Sequence, residues 1–174
     1  MAPNSSSQGR NGRPPDSQMQ RERDADCREQ SVSPVQIRTG VDVQSISAFR
    51  EFDPDVAAGI KDRAFTKAEQ EYCDRMQDPA QHYAARWAAK EAFVKLLAGD
   101  RSVPFDEIDV VRHTPNPSLE LGTRAKDALA ASFGMEGVSS STEPAPASLD
   151  VSLSHDRDAD VAMAQVVALA GGNR

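Results

Sequence analysis

The segment Tyr83-Ala-Ala-Arg-Trp-Ala-Ala-Lys-Glu-Ala-Phe-Val-Lys95 decides the fold, because it reads as one continuous helix carrying an acid and an ammonium where apolar surface is expected. At about 100° per residue, Ala84, Ala88, Glu91 and Lys95 share a narrow arc flanked by Tyr83, Trp87, Val94 and Ala98. A carboxylate on an alanine-lined face is costly unless a positive group meets it. Lys95, at i+4 from Glu91, is one such partner, and an ordinary surface ion pair would account for both. The small side chains around them also let a second backbone or a ligand approach closely.

On either side of this helix the chain alternates short strands and helices. Val35–Val43 reads as a strand with Val35, Ile37, Val41 and Val43 as its apolar positions, and Gly40 marks a bulge or a close backbone approach. Ser47 is a candidate cap for a short helix over Ala48–Phe52. Thr66-Lys-Ala-Glu69 has the form of a capping box, opening a helix that runs to Arg75 or Met76. Asp78-Pro79 resets the chain, and the long helix starts near Ala80 and stops at Gly99. Strands are expected at Ile108–Val111 and Ser118–Leu121, followed by a helix over Thr123–Phe133. Residues 136–148, rich in Ser, Pro, Ala and Gly, read as a mobile loop. Ser148–Ser154 alternates like a half-buried strand, Val161–Leu169 is more continuously apolar, and Asp156–Asp160 joins them as a hairpin loop. The class is α+β: a mainly antiparallel sheet packed against one long and two or three shorter helices.

Residues 1–34 read as a disordered polar tail and 35–170 as the single domain. Residues 1–33 contain no Leu, Ile, Phe, Trp or Tyr, too little apolar surface to offset ordering entropy. Five Lys/Arg and five Asp/Glu fall there, leaving 15 basic against 22 acidic residues in the remainder. A chain of that sign is a poor candidate for general nucleic-acid binding. No apolar run approaches the roughly 18–20 residues of a membrane span, and no secretory h-region is present. Cys27 and Cys73 belong to no metal-ligand pattern and are read as reduced thiols, which points to the cytoplasm.

Four polar residues are not required by local structure. Asp42 interrupts an apolar strand, although an outward position would also suit it. Glu91 and Lys95 lie on the alanine face, and His155 closes a strand, where surface histidines are common. As a set they suit a hard cation and a phosphate. Two carboxylates fit Mg²⁺, which completes its shell with water and substrate phosphate. A lysine neutralises further phosphate charge, and a histidine or a metal-polarised water takes a proton from an incoming hydroxyl. Spacing alone does not bring these groups together. The chain has no phosphate-binding P-loop, no GxGxxG, no HExxH and no GxSxG. Adjacent Ser154 and His155 cannot form a Ser–His nucleophile pair.

Three separated segments resemble one family. Gly40-Val-Asp-Val-Gln-Ser-Ile46 is similar to the opening strand of the 4′-phosphopantetheinyl transferases. Phe65-Thr66 with Glu69, then Ala84-Ala-Arg-Trp-Ala-Ala-Lys-Glu-Ala92 with Lys95, resembles their central signature. Val151-Ser-Leu-Ser-His155 and the following strand resemble their closing hairpin. The likeness runs in order from about Val35 to Leu169 and matches the short, holo-acyl-carrier-protein synthase branch. The wording GVDVQSI, FTKAEQEYC and YAARWAAKEAF is closest to the variety serving type I fatty acid synthases.

This resemblance implies Mg²⁺-dependent transfer of the phosphopantetheine arm of coenzyme A to a serine of an acyl carrier protein or carrier domain, releasing adenosine 3′,5′-bisphosphate. It implies Asp42 and Glu91 as metal ligands, Lys95 as phosphate contact and His155 near the reacting centre, with Asp156 orienting it or a water. Arg86, Lys90 and Ser154 are implied coenzyme or subunit contacts, and a homotrimer with sites between subunits is implied as well. Trp87 is read as core. Three features depart from the family pattern: Thr114-Pro-Asn-Pro117 in place of a Gly-Lys-Pro turn, the long loop 136–148, and the N-terminal tail. Two rival readings share the same residues. One is a coenzyme A pyrophosphate hydrolase, and the other is a non-catalytic coenzyme A-binding subunit of a fatty acid synthase.

Overall fold

The helix over residues 79–96 packs its alanines against a three-stranded sheet, and this contact organises the molecule. The computed structural model describes residues 34–51, 54–97, 102–112, 116–135 and 147–171, without the side chains of 54–57 and 147. In chain order the elements are β1 (Gln36–Ser45), α1 (Ile46–Arg50), α2 (Pro54–Ala64), α3 (Lys67–Asp74), α4 (Pro79–Leu96), a 3₁₀ turn (Phe105–Glu107), β2 (Ile108–Arg112), β3 (Pro117–Leu121), α5 (Thr123–Ser132), β4 (Ala147–Asp156) and β5 (Val161–Ala170). The sheet order is β1-β5-β4, and β2-β3 form a separate two-stranded ladder. Every pairing is antiparallel. The α+β class is therefore as read from the sequence, with two ladders in place of one sheet. The tail and the centre of the loop expected at 136–148 lie outside the described residues, while β4 takes in 147 and 148.

Gly40 explains how closely α4 approaches. A Cβ at this position would stand 1.9 Å from the Ala92 carbonyl oxygen and 2.9 Å from the Leu96 nitrogen. The β1–β5 register is continuous through Gly40, so the glycine marks a close approach and not a bulge. The same logic fills the facing surfaces with small side chains: Ala84, Ala88 and Ala92 on α4, and Ala162, Ala164 and Ala168 on β5, all fully buried. Phe93, Leu96, Ile108 and Leu129 complete the core toward β2 and α5. Each such side chain contributes ~1.5–3 kcal/mol by leaving water.

Two local expectations are corrected. Ser45, not Ser47, caps α1: the helix begins at Ile46, and Ser45 Oγ accepts from the Ala48 N–H at 3.4 Å, while Asp160 bonds both serines. Asp160 accepts from Ser45 Oγ at 2.6 Å, from the Ser47 N–H at 2.7 Å and from Ser47 Oγ at 2.7 Å. It does so from the hairpin turn with φ at 55°. The helix α2 was not read from the sequence at all, although Pro54 at its first position and buried or half-buried Ile60 and Ala64 at i,i+4 spacing carry its signature. The capping box of α3 stands as read: Glu69 N–H donates to Thr66 Oγ1 at 3.2 Å, and Thr66 N–H donates to Glu69 Oε2 at 2.9 Å.

Candidate active site

Asp42 faces α4 because it shares strand parity with Gly40, and it is 7% exposed. Lys95 reaches back from the last turn of α4 and donates to Asp42 Oδ1 at 2.7 Å and to the Val41 carbonyl at 3.2 Å. Gln44 donates to the other carboxylate oxygen at 2.7 Å. The acid of the first strand and the lysine of the long helix thus meet across the fold. Glu91 lies one turn before Lys95 and makes no ion pair among the described residues. It lines an open cavity of about 450 Å³ with Ile60, Arg63, Trp87, Val103 and Phe105. Trp87 is half-buried there, edge-on to Phe105 at 5.1 Å and to Phe49 at 6.0 Å, which fits its reading as core. Asp42 and Glu91 are both oxygen-only donors, and the Lys95 ammonium on Asp42 is displaceable, so the chemistry of these side chains suits a hard divalent cation. Among the described residues no three His, Cys, Asp or Glu side chains gather into a site that holds a metal by protein ligands alone.

On the other side of α4, Arg86 and His155 line a second cavity of about 230 Å³, with Tyr72, His82, Ala85, Val110, Arg112 and Leu153 among its walls. Arg86 is 5% exposed. Its guanidinium carbon lies 4.2 Å over the Tyr72 ring, Nη1 donates to the His82 carbonyl at 3.3 Å, and Nε has no partner. His82 and His155 stand edge to face with centroids 6.0 Å apart. Burial, then the charge of Arg86 and the neighbouring His155, pushes the His82 imidazole below its usual value and keeps it neutral near pH 7. Five residues separate Arg86 from Glu91, about 140° around a helix, and the two cavities share no residue. The sequence-derived residues therefore fall in separate places within one chain: Asp42 with Lys95, Glu91 in one cavity, and Arg86 with His155 in another.

Three expected contacts sit elsewhere. Lys90 is 0% exposed and cannot touch a coenzyme. Its ammonium donates to Glu69 Oε2 at 2.7 Å and to the Phe105 carbonyl at 2.9 Å, clamping α3, α4 and the 3₁₀ turn together. Ser154 pairs with Met163 on the face opposite His155, because neighbouring strand residues point to opposite sides. Asp156 does not orient His155: its Oδ1 accepts from the Asp158 and Ala159 N–H groups at 2.9 and 3.2 Å and builds the hairpin turn. Conversely, Tyr72, His82 and Arg112 were missed. Only the i,i+4 spacing of His82 and Arg86 hinted that they share a flank.

A family model described as the 4′-phosphopantetheinyl transferase superfamily matches residues 38–143. The chain belongs to that superfamily. It is 37% identical over 128 residues to a holo-[acyl-carrier-protein] synthase of Geobacter sp. (strain M21), covering 72% of this chain and 93% of that protein. It is 35% identical over 135 residues to one of Myxococcus xanthus (strain DK1622), covering 77% and 95%. Two solved structures from Chronobacterium ammoniagenes are similar, an apo-ACPS and an ACPS–CoA complex. Their TM-scores are 0.60 and 0.58 at 25% identity, covering 81% and 80% of this chain and 100% and 99% of theirs. As a phosphopantetheinyl transferase of the holo-acyl-carrier-protein synthase type, the chain moves the phosphopantetheine arm of coenzyme A to an acyl carrier protein. No helix among the described residues is long and apolar enough to cross a membrane.

Proposed function

We propose that this transferase works as a homotrimer in which Asp42, Glu91 and Lys95 of one copy face Arg86 and His155 of the next, with Mg²⁺ held by Asp42 and Glu91. The observation that carries this reading is the division of the site by α4. A second supports it: the sheet face away from α4 exposes Val35, Ile37, Val41, Val43, Met163 and Leu169, at 38–63% each. A contiguous apolar face of this kind marks an interaction surface, and a head-to-tail contact that closes makes a ring.

Mg²⁺, when bound, supplies charge neutralisation for the coenzyme A diphosphate. Lys95, whose side chain is 52% exposed, has the freedom to leave Asp42 and pair with a phosphate oxygen. Arg86 takes the phosphate on the ribose. The carrier serine oxygen forms a bond to the β-phosphorus, the phosphoric anhydride bond breaks, and adenosine 3′,5′-bisphosphate leaves with the electron pair. His155, exposed at the end of β4, supplies an imidazole for the serine proton. Alignment and charge balance do most of the work.

The proposed acceptor is a carrier domain of a type I fatty acid synthase, on the wording of the three motifs, and the proposed compartment is the cytoplasm. Cys73 is a free, buried thiol in keeping with that compartment, and burial pushes it up to about 12. The test incubates the protein with coenzyme A, Mg²⁺ and carriers of both kinds, then weighs the carriers intact. Gain of one phosphopantetheine arm on the type I domain is expected. Phosphopantetheine released without a carrier would favour hydrolysis instead, and binding without a mass change would favour a non-catalytic subunit. Co-expressed Asp42→Asn and His155→Ala copies should regain loading that neither has alone. No regain would place the whole site within one chain.

A further inference from the structure

Around the cavity of Arg86 and His155, Tyr72 of α3 touches three polar side chains at once. Arg86 lies over its face at 4.2 Å, Arg112 Nη1 donates to its hydroxyl at 3.0 Å, and His82 stands at its edge with centroids 5.6 Å apart. The ring is a plate with one guanidinium on its face and another on its rim. Among the described residues neither arginine is neutralised there, since no Asp or Glu lines the cavity and neither forms an ion pair. Arg86 is almost wholly buried and keeps an unpartnered Nε. A buried cation without a counter-charge is costly, so its surroundings fit an anion. Two planar forks held on one ring suit a dianionic phosphate monoester better than a single ammonium does.

Coenzyme A carries one phosphate monoester besides its diphosphate, on the ribose 3′ oxygen. We infer that Tyr72 is a positioning residue which holds Arg86 and Arg112 as a two-guanidinium clamp for this monoester, with Arg112 a binding residue in its own right. The inference rests on the transferase reading above. Arg112 is the last residue of β2 and is exposed, so without an anchor its long side chain spreads over many rotamers. The Tyr72 hydroxyl removes that freedom before the ligand arrives, and the ring face does the same for Arg86. A role in packing alone would weaken all ligands together. A clamp for one phosphate distinguishes ligands with and without it.

The experiment measures Kd by calorimetry for the full chain in Mg²⁺ buffer, with coenzyme A and with 3′-dephospho-coenzyme A. The unsubstituted chain should bind coenzyme A at least about tenfold more tightly. Tyr72→Phe keeps the ring and loses the anchor, and should weaken coenzyme A about five- to tenfold while leaving dephospho-coenzyme A within twofold. Arg112→Gln should do the same, and the double variant should lose no more than either single one, because both remove one device. Tyr72→Leu, which also removes the plate beneath Arg86, should abolish the preference between the two ligands. Equal weakening of both ligands by Tyr72→Phe, or additive losses in the double variant, would overturn the inference. Should Tyr72→Phe fail to fold, Arg112→Gln alone decides: an unchanged preference refutes the clamp. If the unsubstituted chain binds the two ligands alike, the clamp is wrong while the transferase reading stands. If it binds neither, that reading falls too.

Discussion

Two lysine–carboxylate pairs leave the same helix five residues apart, with the same 2.7 Å separation and opposite surroundings. Lys90 and Glu69 are 0% and 1% exposed in their side chains, whereas Lys95 is 52% exposed above a nearly buried Asp42. The inner pair is saturated. Glu69 also accepts from the Thr66 and Val110 N–H groups, and Lys90 also donates to the Phe105 carbonyl. Burial pushes the Glu69 carboxyl up and the Lys90 ammonium down despite their attraction, so desolvation is the dominant cost. The pair fixes the arrangement of α3, α4 and β2 and has no capacity for a ligand. The outer pair is half open to solvent, and in the proposed function a phosphate takes Lys95 and a cation takes Asp42. Identical chemistry becomes scaffold or site according to what covers it.

The comparison breaks most readily at the inner pair. Lys90→Met should cost about 3–5 kcal/mol in urea unfolding, because it strands a buried carboxylate. A loss under about 1 kcal/mol would make the inner pair as dispensable as a surface one. Gly40→Ala comes next, at about 3 kcal/mol, the upper end of overpacking costs, since the added methyl meets backbone that cannot rotate away. Near-normal stability there would mean that α4 is not seated on β1 as described. The smallest effect concerns the other flank of α4. His82 has its imidazole value lowered by burial, Arg86, His155 and Arg112, against Asp78 which raises it. The unfolded chain therefore binds its proton first, and the stability from neutral His82 is present above about pH 6.5 and lost as pH falls below it. The melting temperature should decline modestly from pH 7 to pH 5.5, and His82→Gln should flatten that slope. An unchanged slope would remove His82 from the account.

Much of this was legible because it is local. The Thr66–Glu69 box, the helix through Ala84–Lys95 and the β4–β5 hairpin are specified by residues within a few positions of one another. Gly40 was readable as a bulge or an approach, and only the position of Ala92 decides between them. What escaped depends on distant partners. Asp160, 113 residues from Ser47, holds the first turn of α1, a contact no local pattern signals. The helical wheel sets Lys95 on the Glu91 arc and Lys90 off it, but only the cover supplied by Phe105, Phe65 and β2 shows that Lys90 is sealed in. The Tyr72–Arg86–Arg112 cluster draws on three elements with no shared motif.

In the proposed function the outer pair works on the ligand while the inner pair only holds the fold. Lys95→Ala tests it most directly, by following carrier loading with intact mass and unfolding with urea on the same preparation. Loading should fall at least about 100-fold while the loss of stability stays well below that of Lys90→Met, because Gln44 still donates to Asp42 and the Lys95 side is open to solvent. Loading near the level of the unsubstituted chain, together with a large loss of stability, would show Lys95 and Asp42 to be a second structural pair and would contradict the account.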